Sequence, residues 1–263
     1  MMQIFDTGEV RLHYRVDGPA DGPVVVFANS LGTDLRLWDP VMPLLPEGLR
    51  IVRWDKRGHG LSSVPGGPYS MGGLISDCER LLDHLEVRDC VFVGLSIGGM
   101  IAQGLAVKRL DMIRGIVLSN TAAKIGNAGL WDERIAAVKT GGIESLADGV
   151  MERWFSKEFR ARPELELWRN MLVQQAVEGY AGCSAAISGT DFYTSTSGLR
   201  LPCLGIVGDE DGSTPPDLVR ETTDLVPASD FHLIRRAGHL PCVEQPEEYA
   251  RVLTAFLKRV GHV

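Results

Sequence analysis

What this sequence lacks narrows its function before any motif is read. No stretch approaches the ~20 consecutive apolar residues of a membrane-spanning helix, and the opening MMQIFDTGEV has no basic segment leading into an apolar one. No membrane partner is expected, and the cytoplasm is the expected location. Positive charge is scarce, with 27 Lys and Arg against 34 Asp and Glu, a net charge of -7. Counterion release on nucleic acid needs clustered cations, so a nucleic-acid partner is not expected. Any anionic small molecule must instead meet a local cation. The five cysteines lie far apart, with no CxxC and no histidine pair nearby. They read as small core hydrophobes in a reducing compartment rather than as zinc ligands, Cys242 included despite its nearness to His239. The glycine-rich loop Asp55 to Ser63 has neither GxGxxG nor GxxxxGK[ST] spacing, so it is no phosphate cradle. Internal repeats and low-complexity tracts are absent too. No metal and no cofactor are expected.

What is present describes a folded domain. A chain of 263 residues, 44% hydrophobic and 23% charged, is long enough to bury a core comfortably. Val10 to Val16 alternates apolar and polar after a turn-like Asp6-Thr7-Gly8-Glu9, which predicts an antiparallel hairpin at a sheet edge. Val24 to Ala28 is apolar throughout, as a strand buried on both faces must be. A short helix carrying Leu37, Trp38, Val41 and Leu44 is expected next, then a strand at Leu49 to Trp54. Leu74, Ile75, Cys78, Leu81, Leu82 and Leu85 form one stripe at helical spacing, with Ser70 as its cap. Strands follow near Val91, at Ile113 to Leu118, at Cys203 to Val207 and at Phe231 to Ile234, with helices between and a last helix from about Pro246. Repeated alternation of strand and helix predicts an α/β fold, a mostly parallel eight-stranded sheet with helices on both faces. From Asn120 to about Ser197 the alternation stops and only helical spacing remains, as in Ile143, Leu146, Val150, Met151 and Trp154. The expected division is a core of residues 1–119 and 198–263 with a helical cap inserted at 120–197.

The chemistry gathers around Gly94-Leu95-Ser96-Ile97-Gly98, where an apolar strand breaks at a serine and resumes as a helix. A hydroxyl attacks well only when held proud of the surface near a base and oxyanion donors, and flanking glycines let strand and helix approach around it. Such an elbow predicts an acid and then a histidine in loops after later strands. Gly208-Asp209-Glu210-Asp211-Gly212 follows the Cys203 strand, and Arg236-Ala237-Gly238-His239-Leu240 follows the Phe231 strand. Ser96, Asp211 and His239 are the expected catalytic residues. Of the three adjacent acids only one can sit under the imidazole; Asp211 lies deeper in the loop, whereas Asp209 is placed to bond loop amides. An acid after the preceding strand is the arrangement of some such folds, but that position is Asn120 here. Ser96 also excludes hydrolases whose nucleophile is aspartate. His13, His84 and His232 read as surface or satisfied core residues, and His59 either lines the pocket or bonds backbone in its glycine-rich loop.

At these residues the chain resembles the α/β-hydrolase superfamily, and in particular the 3-oxoadipate enol-lactonases. The resemblance covers nearly the whole chain. It is carried by Phe27-Ala28-Asn29-Ser30-Leu31-Gly32-Thr33-Asp34, Arg57-Gly58-His59-Gly60-Leu61-Ser62, Gly94 to Gln103 and Ala237-Gly238-His239, with Trp131-Asp132-Glu133-Arg134 and Gly141-Gly142-Ile143 in the insertion. One departure is Gly212, where such enzymes often have proline after the acid. The resemblance implies attack by Ser96 on a lactone carbonyl, an oxyanion hole of the Leu31 and Ile97 N–H groups, and an acyl-enzyme released by water as 3-oxoadipate. Because that substrate is an anionic lactone, it further implies a pocket cation, for which Arg36, Lys124 and Arg134 are candidates, with Trp131 packing on the ring. The same triad would also serve a general carboxylesterase or a cofactor-free perhydrolase. A receptor-like hydrolase fold that binds a lactone and signals is the reading from another class.

Overall fold

Eight strands assemble in the order β1-β2-β4-β3-β5-β6-β7-β8 in a computed structural model that describes residues 3–263. They are β1 (Gln3–Asp6), β2 (Arg11–Asp17), β3 (Val24–Ala28), β4 (Arg50–Trp54), β5 (Cys90–Leu95), β6 (Ile113–Ser119), β7 (Cys203–Gly208) and β8 (Asp230–Ile234). The first two form the expected edge hairpin, with Gly8 at φ 87° in its turn, and β2 pairs antiparallel with β4. From β4 to β8 every pairing is parallel. Each residue of β3, β5 and β7 is buried. Strands without a polar face fold only where both faces are covered, which is why their sequences read as unbroken apolar runs.

The covering helices are α1 (Met71–His84), α2 (Ile97–Lys108), α3 (Ala128–Gly141), α4 (Ala147–Trp154), α5 (Leu165–Val173), α6 (Val177–Ser188), α7 (Tyr193–Ser197), α8 (Pro216–Asp224), α9 (Pro241–Glu244) and α10 (Pro246–Arg259). Ser70 caps α1 through its hydroxyl, which accepts from Gly73 N at 3.1 Å. The helix expected around Leu37 is instead two separate 3-10 turns, Leu35–Trp38 and Met42–Leu44. Pro40 and Pro43 lack the N–H donors that a continuous helix would need there.

All five helices α3 to α7 lie between β6 and β7, and α3 packs against α6. The last of them, α7, rests on α2, where Thr196 Oγ1 donates to Gln103 Oε1 at 2.8 Å. Among the described residues no helix is long and apolar enough to cross a membrane.

Candidate active site

Parallel strands bring their carboxyl ends to one rim, so the loops 29–34, 209–214 and 235–240 converge there with Ser96 and Asn120. Ser96 sits between β5 and α2 at φ 58°, ψ −120°, a backbone state that costs an L-residue free energy and persists only when its surroundings enforce it. They do so here. Ser96 N donates to Ser119 O at 3.0 Å, and Thr121 Oγ1 donates to Ser96 O at 2.6 Å. A Cβ on Gly94 would fall 2.2 Å from Gly98 O, and one on Gly98 would fall 2.2 Å from Ala28 O. The two glycines of the motif are thus demanded by how closely strand and helix meet.

His239 Nδ1 lies 2.9 Å from Asp211 Oδ2, both side chains almost fully buried. An ionised carboxylate only accepts, so Nδ1 carries the proton and Nε2 is the free acceptor of the neutral ring. Asp211 also accepts from Ser213 N (2.7 Å), Thr214 N (3.0 Å), Thr214 Oγ1 (2.8 Å) and Asn120 Nδ2 (2.8 Å). Burial by itself would raise its pKa, but the charge and hydrogen bond of His239, with the Asn120 and Thr214 donors, hold it below the usual carboxylate value. Its neighbours are engaged elsewhere: Asp209 Oδ1 accepts from Ala237 N at 3.4 Å and Glu210 Oε2 from Lys157 N at 3.0 Å. Only Asp211 of the three faces the imidazole.

Loop 29–34 is fastened from behind. Asn29 Nδ2 donates to Trp54 O at 2.8 Å, and the buried Lys56 Nζ donates to Ser30 O at 2.6 Å. Burial pulls the Lys56 ammonium down to a pKa of about 8. His59 is likewise buried and accepts the Gly32 N–H at Nε2, 3.0 Å. Burial, followed by the Lys56 charge, holds His59 well below its usual pKa and therefore neutral, as an acceptor must be. His59 is absent from the lining of the cavity that holds Ser96 and bonds backbone instead, that of Arg57 in its own loop and that of Gly32 in this one. Among the described residues the N–H groups of Leu31 and Ile97 find no protein acceptor.

Ser96, His239 and Leu31 share a cavity of about 430 Å³ with Trp131, Arg134 and Arg153. Trp131 is fixed by donating from Nε1 to Ile125 O at 2.7 Å, and the Arg134 guanidinium lies 5.6 Å from its ring centroid. Arg134 Nε donates to Tyr180 OH at 2.9 Å. The other two candidate cations lie elsewhere. Lys124 is exposed and paired with Asp191 at 3.2 Å, while Arg36 is held by Asp34 at 2.6 Å beside a different cavity of about 640 Å³.

Several functional positions escape sequence reasoning. Asn120 was read only as the absence of an acid, yet its amide holds Asp211; a buried Asn at the end of an apolar strand is the available signal. Arg153 sits in the last turn of α4 amid the stripe Val150, Met151 and Trp154, a cation on the border of an apolar face. Its carbonyl accepts from Gly212 N at 3.1 Å, and Trp154 O accepts from His239 N at 2.8 Å. This explains Gly212: proline there would have no N–H to donate, and even a Cβ would come 3.0 Å from Arg153 Cα. Glu244 completes the junction, with Oε1 accepting from Gly238 N (2.6 Å) and Oε2 from Ser156 N (3.0 Å) and Ser156 Oγ (2.6 Å).

Comparison with known proteins agrees with this fold. Residues 17–252 match the model of the alpha/beta hydrolase family. The chain is 34% identical over 253 residues to 3-oxoadipate enol-lactonase 2 of Acinetobacter baylyi, covering 95% of this chain and 94% of that protein. Among solved structures it resembles a hydrolase from Pseudomonas aeruginosa PA01 (TM-score 0.93, 37% identity, 97% and 98% of the two chains). It also resembles the enol-lactonase of Burkholderia xenovorans LB400 (TM-score 0.94, 34% identity, 97% and 100%).

Proposed function

The chain belongs to the alpha/beta hydrolase family and is an ester-hydrolysing enzyme, and we propose that its reaction is the opening of 3-oxoadipate enol-lactone to 3-oxoadipate through an acyl-enzyme on Ser96. The Ser96 hydroxyl attacks the lactone carbonyl while His239 Nε2 takes its proton. Asp211 fixes the tautomer and stabilises the imidazolium that forms. Charge developing on the carbonyl oxygen meets the Leu31 and Ile97 N–H groups, each donor of this kind typically contributing ~100 to 1000-fold in rate. As the tetrahedral intermediate collapses, the ring C–O bond breaks, the enol oxygen takes the proton from His239, and the enol becomes a ketone. Water then attacks the acyl ester with His239 again as base. The product acid leaves and Ser96 regains its proton.

The observation that carries this reading is one cavity with Ser96 and His239 together with Trp131, Arg134 and Arg153. Nucleophile and base account for ester cleavage; the aromatic ring and the guanidiniums suit a small ring bearing a carboxylate. Residues 120–197 act in this proposal as a cap over the core of residues 1–119 and 198–263. The reaction belongs to aromatic catabolism, in the protocatechuate branch, and is placed in the cytoplasm, which the five free, buried cysteines support.

Initial rates on the enol-lactone and on a simple aryl acetate test the reading, with Ser96→Ala as control. The lactone is expected to lead in kcat/KM by at least ~100-fold, as a site built around partly buried charge discriminates, and Ser96→Ala to abolish both activities. An aryl acetate preferred by orders of magnitude would make the protein a general carboxylesterase.

A further inference from the structure

Helix α4 ends where substrate pocket and catalytic loops meet. The carbonyl of Arg153 holds the acid loop at Gly212 N, and the carbonyl of Trp154 holds the base itself at His239 N. Two residues on, Ser156 is tied to Glu244, which also takes Gly238 N. One turn of backbone therefore sets the position of both loops. The approach is close: a Cβ on Gly238 would fall 2.5 Å from Trp154 O.

Arg153 also lines the cavity that contains Ser96, and its guanidinium lies near enough to Arg134 and Tyr180 to feel their charge. It is partly buried, and among the described residues it hydrogen-bonds to no carboxylate. Arg134 lines the same cavity from α3, and among the described residues its one hydrogen-bond partner is the Tyr180 hydroxyl. Glu133 reaches the lining too, but it is exposed and pairs with neither guanidinium. Burial and then the charge of Arg134 lower the Arg153 pKa, the mark of two like charges close together in a partly desolvated space. A carboxylate placed between them would relieve that repulsion and accept charge-assisted hydrogen bonds from both. Arg134 is mounted on α3, away from the triad loops. Arg153 is one peptide from them.

We propose that Arg153 is a substrate-sensing residue: a carboxylate held between Arg134 and Arg153 fixes the end of α4, and through the Arg153 and Trp154 carbonyls it fixes the acid and base loops. Substrate charge then raises turnover as well as affinity. Binding energy from a non-reacting group is used in this way whenever it orders the reacting ones, and a misplacement of about 1 Å costs ~100-fold. The inference rests on the reading of the substrate as an anion.

The test uses the lactone and its neutral counterpart, in which the carboxylate is a primary amide, on the wild type and on Arg153→Met, Arg153→Lys and Arg134→Met. In the wild type kcat for the anion is expected to exceed that for the amide by about 10 to 100-fold, the range of a hydrogen bond to a charged group. In Arg153→Met that kcat ratio is expected to collapse to near one, and in Arg153→Lys to recover in part. Arg134→Met is expected to raise KM for the anion while keeping most of the kcat ratio. A change in KM alone in Arg153→Met would overturn the proposal. So would an equal loss of kcat on both substrates with no recovery in Arg153→Lys, which would mark a structural role. A wild type that does not distinguish anion from amide would instead bring down the anionic-substrate reading itself.

Discussion

The loops at the sheet rim and the helices between β6 and β7 treat their polar groups in opposite ways. At the rim the polar side chains are mutually committed. Asp211 accepts from Ser213, Thr214, Asn120 and His239, and Lys56 and His59 are spent on the backbone of the 29–34 loop. In the helical segment Arg134 and Arg153 line the cavity, and among the described residues no carboxylate is hydrogen-bonded to either. Satisfied buried networks hold atoms where chemistry needs them, whereas charges left without a counterion define what is to be bound. In the proposed reaction the first region supplies the reacting groups and the second the selection.

That contrast breaks most visibly at Asp211. Asp211→Asn removes the acceptor that sets the His239 tautomer, and a loss of about 10⁴-fold in kcat is expected on charged and neutral esters alike. If the loss fell on the anionic lactone alone, the division between the two regions would be wrong. Stability should change with pH as well. The folded pKa of Asp211 lies below the ordinary 3.8, so its stabilisation is complete above that pH and is lost as pH falls through the lower folded value. Thermal unfolding of wild type and Asp211→Asn should therefore converge as the pH is taken below 3.8.

The same contrast explains how much could be read without coordinates. Fully buried strands announce themselves, because β3, β5 and β7 have no polar face to disguise them, and a serine, an acid and a histidine after successive strands constrain one another. Arg134 was legible only as one of the three candidate cations that the resemblance implied. Three kinds of residue were not. Asn120 acts through a tertiary contact to a carboxylate far away in sequence, and Thr214, three residues from Asp211, looks like any other turn residue. Lys56 sits in the glycine-rich loop with nothing to mark it as the support of another loop's backbone. Arg153 is a common surface residue type whose importance comes from the carbonyl it carries as much as from its guanidinium. The single helix expected near Leu37 does not form, because Pro40 and Pro43 interrupt its apolar spacing.

A smaller effect is expected at Asn120. Asn120→Ala removes one of several donors to Asp211 and leaves the carboxylate otherwise bonded, so kcat/KM should fall only about 10-fold, equally for the enol-lactone and a neutral ester. Steady-state rates on both substrates read this directly. A loss as deep as that of Asp211→Asn would mean that the amide, rather than the ring, governs the carboxylate.

The acyl-enzyme itself is the most direct measurement. Enzyme in excess over enol-lactone, quenched through a single turnover and mapped by peptide mass, is expected to show one acyl group on the peptide containing Ser96, formed and lost as product appears. No acyl group at any time, or one on another residue, would contradict the assignment of Ser96 as the nucleophile.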